Sequence, residues 1–222
     1  LNNPLCHYIH EALFLGCPEE NRTLHPTSVR AELYHAHPIE GEDVVSARAE
    51  LEDGAVLHTY LTLCAPESEN PRITLIGEDG TAKWTRGGFS IRGKGIEYEE
   101  EGEAGSTQRL MRNLVRAITE GEPLWSPLES TRNVILHNNG CYNSSGAIRR
   151  IPTELINRYQ CGEENKDTAT EVQGLMAHLR GAAEKRRLLS EMAVEWATPT
   201  ERVDLDFESF DPGETLEGWK DE

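Results

Sequence analysis

The chain has 222 residues, 39 acidic against 22 basic, for a net charge of −17, and five cysteines. That charge repels phosphate, which argues against nucleic acid and anionic membranes as partners. An odd cysteine count without a C-x-x-C pair argues against a disulfide framework or zinc ribbon and fits a reducing, cytoplasmic setting, and no run approaches the ~18 apolar residues of a membrane span.

Residues 4–17 read as a helix ended by Gly16-Cys17-Pro18. Leu5, Ile9, Ala12, Leu13 and Gly16 share one stripe, while His7, His10, Glu11 and Phe14 take the other face, because residues three and four apart are helix neighbours. Four runs of period-two alternation follow. Val29, Ala31 and Leu33 alternate with Arg30, Glu32 and Tyr34; then come Asp43 to Leu51, Ala55 to Cys64 and Arg72 to Gly77. Asp53-Gly54 and Asp79-Gly80 sit where hairpin turns belong. Shorter strands at Thr81–Thr85, Phe89–Arg92 and Ile96–Tyr98 extend the pattern into an antiparallel meander with one packed and one more polar face.

Two helices come next. Thr107–Thr119 sets Leu110, Met111, Leu114, Ala117 and Ile118 on one stripe. Ser126-Pro127-Leu128-Glu129 is a capping box with proline at the first helical position. Strands first and helices later imply an α+β fold: an open-faced, mainly antiparallel sheet with helices packed on one face. Beyond Pro152 the composition shifts. Gln160–Asp167 reads as a polar linker and Thr170–Met192 as a charged helix. Residues 201–222 hold nine acids against Arg202 and Lys220, with Phe207, Phe210 and Trp219 among them. The aromatics argue against a purely disordered tail.

The segment Asn2-Asn3-Pro4-Leu5-Cys6-His7-Tyr8-Ile9-His10 resembles the start of the second domain of the glucose–fructose oxidoreductase / inositol dehydrogenase (Gfo/Idh/MocA) family. There a D-x-G-x-H-x-x-D type motif supplies substrate-binding and proton-transfer residues. Its positions fall on Asn3, Leu5, His7 and His10, so the central histidine alone is unchanged. The resemblance continues through Val29–His35, Asp43-Val44-Val45, Asp53-Gly54, Gly77–Trp84, Gly121-Glu122-Pro123-Leu124 and Asn139–Gly146, over roughly residues 2–150. It implies residues 1–152 as a substrate-binding and oligomerisation domain, with 153–222 a helical extension and acidic tail packed on it.

The same resemblance implies a parent enzyme that moves hydride between NAD(P) and a sugar, polyol or related hydroxyl compound. His7 would assist proton transfer, for which an imidazole suits neutral pH. Asn3 and His10 would position the substrate, with Asn139 and Tyr142 as further contacts; Asn3 can bind a hydroxyl but cannot serve as a base. No G-x-G-x-x-G fingerprint is present to hold a dinucleotide, nor the E-K-P triplet that supplies the family's lysine. The chain is therefore expected to be part of a longer protein, to bind no cofactor alone, to be inactive alone, and to form a homo-oligomer through its open sheet face. The alternative is a non-catalytic binding or assembly module pairing through that face. His7-x-x-His10-Glu11 and His35-x-His37 are histidine clusters to weigh as metal ligands, but neither has H-E-x-x-H spacing and no metal is assigned.

Overall fold

A computed structural model describes residues 1, 5–67, 69–102, 107–162 and 167–205; Asn3 and residues 206–222 of the acidic tail lie outside them. In chain order, α1 (Cys6–Leu15) precedes β1 (Pro26–His35), β2 (Val44–Leu51) and β3 (Val56–Thr62). Next come β4 (Arg72–Gly77), β5 (Gly80–Thr85), β6 (Gly88–Gly93) and β7 (Ile96–Glu101), then α2 (Thr107–Glu120) and α3 (Leu128–Ser145). The remainder holds β8 (Ile148–Arg150), β9 (Ile156–Cys161), β10 (Asp167–Val172), α4 (Leu175–Lys185) and β11 (Val203–Asp204). The α+β class is as expected.

The chain divides into two compact units. One holds residues 1–6, 25–68 and 133–222; the other holds 7–24 and 69–132. The strands accordingly form separate sheets: β11-β1-β2-β3 with β8 also on β1, the pair β9-β10, and the four-stranded β4-β5-β6-β7. Among the described residues, β4 to β7 pair with one another and do not extend the first sheet.

In the first unit both faces of the sheet are covered, so the alternation expected to leave a polar face instead buries it. Val29, Ala31 and Leu33 of β1 lie opposite Ala49, Ala47 and Val45 of β2. This row of small side chains lets α3 approach at Gly140, where an added Cβ would lie 2.7 Å from Val29 Cγ1. The other face carries Tyr34 opposite Val44 and Glu32 opposite Ser46. Here the C-terminal segment builds the core: Leu175, Leu179, Ala182, Leu189 and Val194 pack with Tyr34, Ala36, Val44, Cys64, Ile151 and Val172. Burial of each larger aliphatic side chain contributes roughly 1.5–3 kcal/mol. Trp196 meets Tyr34 edge-on at 4.9 Å between ring centroids.

Glu32 is fully buried and holds this layer down. Its carboxylate accepts from Ser190 Oγ at 2.5 Å, from the Ser190 N–H at 3.1 Å and from Tyr34 Oη at 3.2 Å. Burial still raises its pKa, with the Ser190 and Tyr34 hydrogen bonds opposing.

The expected linker and long charged helix become a hairpin and a shorter helix. Thr168, Thr170 and Val172 supply the β-branched positions of β10, which suit a pleated surface. Gly174, at φ +77°, breaks the chain before α4 begins. At the other end Arg186 adopts a left-handed conformation and its N–H caps the carbonyls of Ala182 and Ala183.

The second unit holds α1 and the β4–β7 meander. Gly80 faces Gly93 across β5 and β6, and a Cβ on Gly80 would meet Arg92 O at 2.3 Å. The stripe expected on α2 is present but exposed at Leu110, Met111, Leu114 and Ile118. Asn113 is the buried residue of that helix: its side chain donates to Pro123 O at 2.9 Å and accepts from the Trp125 N–H at 3.0 Å. No helix among the described residues is long and apolar enough to cross a membrane.

Candidate substrate site

Helix α1 sorts its residues as the sequence suggests. Ile9 and Leu13 are buried. His7 is exposed, and His10 and Glu11 are half-buried. Nε2 of His10 and Oε2 of Glu11 are shielded from solvent yet have no hydrogen-bond partner among the described residues. Such orphaned polar atoms are costly unless something binds them.

Burial lowers the His10 pKa and the neighbouring His7 lowers it further. Burial raises that of Glu11, with His7 and Arg86 opposing. Both shifts run in the direction of the uncharged form, and an imidazole nitrogen and a carboxyl oxygen can each bond a ligand's hydroxyl. An alcohol or carbonyl oxygen is the kind of group such a pair can hold.

The turn after β5 brings up further side chains of the same unit. The Arg86 guanidinium lies 5.8 Å from the Tyr8 ring centroid and donates to Tyr8 Oη. Trp84 approaches Tyr8 at 6.5 Å between centroids. This cation–aromatic group was missed in the sequence, because Trp84 and Arg86 lie more than 75 residues from Tyr8 and no motif joins them to it.

The remaining expected site residues lie elsewhere. Asn139 and Tyr142 sit three apart on the part of α3 that belongs to the first unit, both half-buried. Tyr142 donates to Glu42 Oε2 at 2.6 Å. Beside them His137 and Cys141 are wholly buried; burial pushes the imidazole of His137 down to about 4 and raises the Cys141 thiol, which marks both as neutral packing groups. Asn3 lies outside the described residues.

No protein-family model matches the sequence, and neither does any curated protein. Solved structures do match the fold. The WlbA dehydrogenase from Bordetella pertussis, solved in complex with NADH and UDP-GlcNAcA, aligns over 64% of this chain and 43% of its own, with TM-score 0.50 and 20% identity. UDP-N-acetylglucosamine 3-dehydrogenase GnnA from Acidithiobacillus ferrooxidans aligns over 53% and 39%, with TM-score 0.47 and 16% identity. Aldose-aldose oxidoreductase from Caulobacter crescentus aligns over 55% and 39%, with TM-score 0.44 and 13% identity. The expected α+β fold holds: the chain shares it with the part of the WlbA dehydrogenase that it matches. It spans about two-fifths of the length of these three proteins.

Proposed function

We propose that this chain is the substrate-binding and oligomerisation portion of an NAD(P)-dependent oxidoreductase acting on a sugar, polyol or related hydroxyl compound. The observation that carries the reading is the fold shared with a dehydrogenase solved in complex with NADH and a UDP-sugar. The unpartnered His10 and Glu11 atoms beside His7 support it. In this reading His7 exchanges the proton of the substrate hydroxyl as hydride moves to or from a cofactor held by another domain. His10 and Asn3 orient the substrate. Residues 153–222 complete the substrate half, their described part sharing a core with β1 and β2.

The test is the coding sequence upstream of Leu1. The expected result is an open frame encoding a strand, a glycine-rich turn into a helix, and later an E-K-P triplet. A start codon immediately before Leu1 overturns the proposal. In the complete enzyme, His7→Ala is expected to lower kcat by ~10²–10⁴-fold, the usual worth of a positioned acid or base. It should also abolish one limb of the pH–rate profile; an unchanged kcat removes His7 from the chemistry.

A second reading, a non-catalytic assembly module, is favoured by the exposed apolar side chains of the β4–β7 sheet: Ile76, Phe89, Ile91, Ile96 and Tyr98. It predicts a dimer by sedimentation equilibrium that Ile91→Lys dissociates, and no binding of UDP-sugars by calorimetry.

A further inference from the structure

At one end of the first unit's sheet, three side chains of types that bind transition metals converge from separate strands and turns. His37 follows β1, Asp43 precedes β2 and Cys64 follows β3. One ligand atom from each lies within 4.8 Å of the other two. His37 Nδ1 is 2.8 Å from Asp43 Oδ2 and 3.5 Å from Cys64 Sγ. Asp43 and Cys64 are fully buried, whereas the His37 side chain is 27% exposed.

Two simpler explanations fall short. Asp43 does brace the turn, its carboxylate accepting from the N–H groups of Ala36 and His37 at 2.8–3.0 Å. The imidazole Nδ1–H and the Cys64 thiol also donate to that carboxylate, but this pairing leaves Nδ1 and Sγ facing each other at 3.5 Å with no bond between them. A nucleophilic relay would have the carboxylate and the sulfur on opposite ring nitrogens, whereas here both face Nδ1. Once Nδ1 and the thiol give up their protons, three lone pairs converge on one point, which is what a cation requires.

We propose that His37 Nδ1, Asp43 Oδ2 and Cys64 Sγ form a binding site for a borderline-soft divalent ion of the zinc type. With metal–nitrogen bonds of ~2.0–2.1 Å and a metal–sulfur bond of ~2.3 Å, tetrahedral geometry places nitrogen and sulfur about 3.6 Å apart. The observed separation is 3.5 Å. Nitrogen and oxygen need about 3.3 Å, so the imidazole withdraws by about half an ångström, and the exposed ring has room to do so. The solvent side of His37 leaves the fourth position to water. One carboxylate beside a thiol and an imidazole disfavours calcium and magnesium, which take oxygen ligands.

The surroundings hold the donors in place. The Asp43 oxygens are oriented by backbone N–H groups, as outer-shell hydrogen bonds orient metal ligands. The Cys64 N–H donates to Thr62 Oγ1 at 2.9 Å, and Arg158 donates to Ala36 O at 2.9 Å. The Ile151 N–H donates to His35 O at 3.0 Å. His35 itself turns away, its Nδ1 set 3.1 Å from His37 O. The strand pairing His35-x-His37 does not therefore form the site.

The test titrates the chelator-treated chain with cobalt(II), then displaces it with zinc. One equivalent should give the intense visible bands of a four-coordinate ion together with a near-ultraviolet sulfur-to-cobalt charge-transfer band. Cys64→Ser should remove the charge-transfer band, and His37→Gln should weaken binding by ~10–100-fold, while circular dichroism stays unchanged. Bands no stronger than those of aqueous cobalt, or bands that persist in Cys64→Ser, overturn the proposal. Should Cys64→Ser fail to fold, His37→Gln decides alone, since its ring lies at the surface.

Discussion

Gly140 lies inside α3, where glycine costs about 1 kcal/mol relative to alanine. Replacing it by alanine should therefore stabilise the chain, yet the surroundings predict the reverse. The new Cβ would lie 2.3 Å from Leu205 Cδ2 and 2.7 Å from Val29 Cγ1, against the ~3.5–4.0 Å of comfortable carbon contacts. Leu205 can swing its tip aside. Val29 cannot, because its β-branched side chain has one favoured rotamer and is buried in mid-sheet. The helix must then lift by roughly 1 Å, at an overpacking cost of ~1–3 kcal/mol. After the propensity gain, Gly140→Ala should destabilise by up to ~2 kcal/mol, lowering Tm by as much as ~8 °C at ~2–4 °C per kcal/mol for a chain this long. In a Val29→Ala background the obstruction is gone, and the same substitution should stabilise by about 1 kcal/mol. Urea unfolding read by Trp196, with Trp84, Trp125 and Trp219 replaced by Phe, isolates the first unit. An equal effect of Gly140→Ala in both backgrounds would refute the argument.

Two further outcomes are expected. Glu32→Gln removes a titrating group whose folded pKa is raised. The native protein therefore holds that proton more tightly than the unfolded chain, and wild type loses stability relative to the variant as pH rises from the ordinary glutamate value through the raised one. Denaturant midpoints of the two proteins across acid pH check the sign, and parallel curves would contradict it. Asn113→Ala removes both hydrogen bonds made by that buried side chain, to Pro123 O and from the Trp125 N–H, and should cost ~1–3 kcal/mol of second-unit stability by urea melts, while leaving Trp196 signals unchanged.

The strand pattern was readable because Val29, Ala31 and Leu33 alternate in the local sequence. The burial of Glu32 and Tyr34 opposite them was not, since the groups that cover them, Ser190 and Thr198, lie more than 150 residues downstream. Gly174 could have signalled the break before α4, and Thr168, Thr170 and Val172 the strand, but the charged run beyond masked both. The two faces of α1 were legible from helical spacing. Arg86 and Trp84 were not, and neither was the meeting of His37, Asp43 and Cys64. The first depends on a helix packing on a distant strand, the second on strand pairing, which fixes neighbours by register rather than by proximity in sequence.

The outer edge of β1 is closed in two halves. Antiparallel β11 takes Ser28 and Val29, and parallel β8 takes Leu33 to His35. Between them the amides of Ala31 and Leu33 donate to Ser144 and Ser145 Oγ. The strand thus waits for partners more than 110 and 170 residues later. During translation β1 and β2 can form a hairpin, but its free edge stays open until the ribosome has delivered Ser144, Ile148 and finally Val203. Long-range closure of this kind slows folding, and an open strand edge invites pairing with another nascent chain. Yield from expression should therefore depend on chaperone capacity and fall sharply for any chain stopped before Val203.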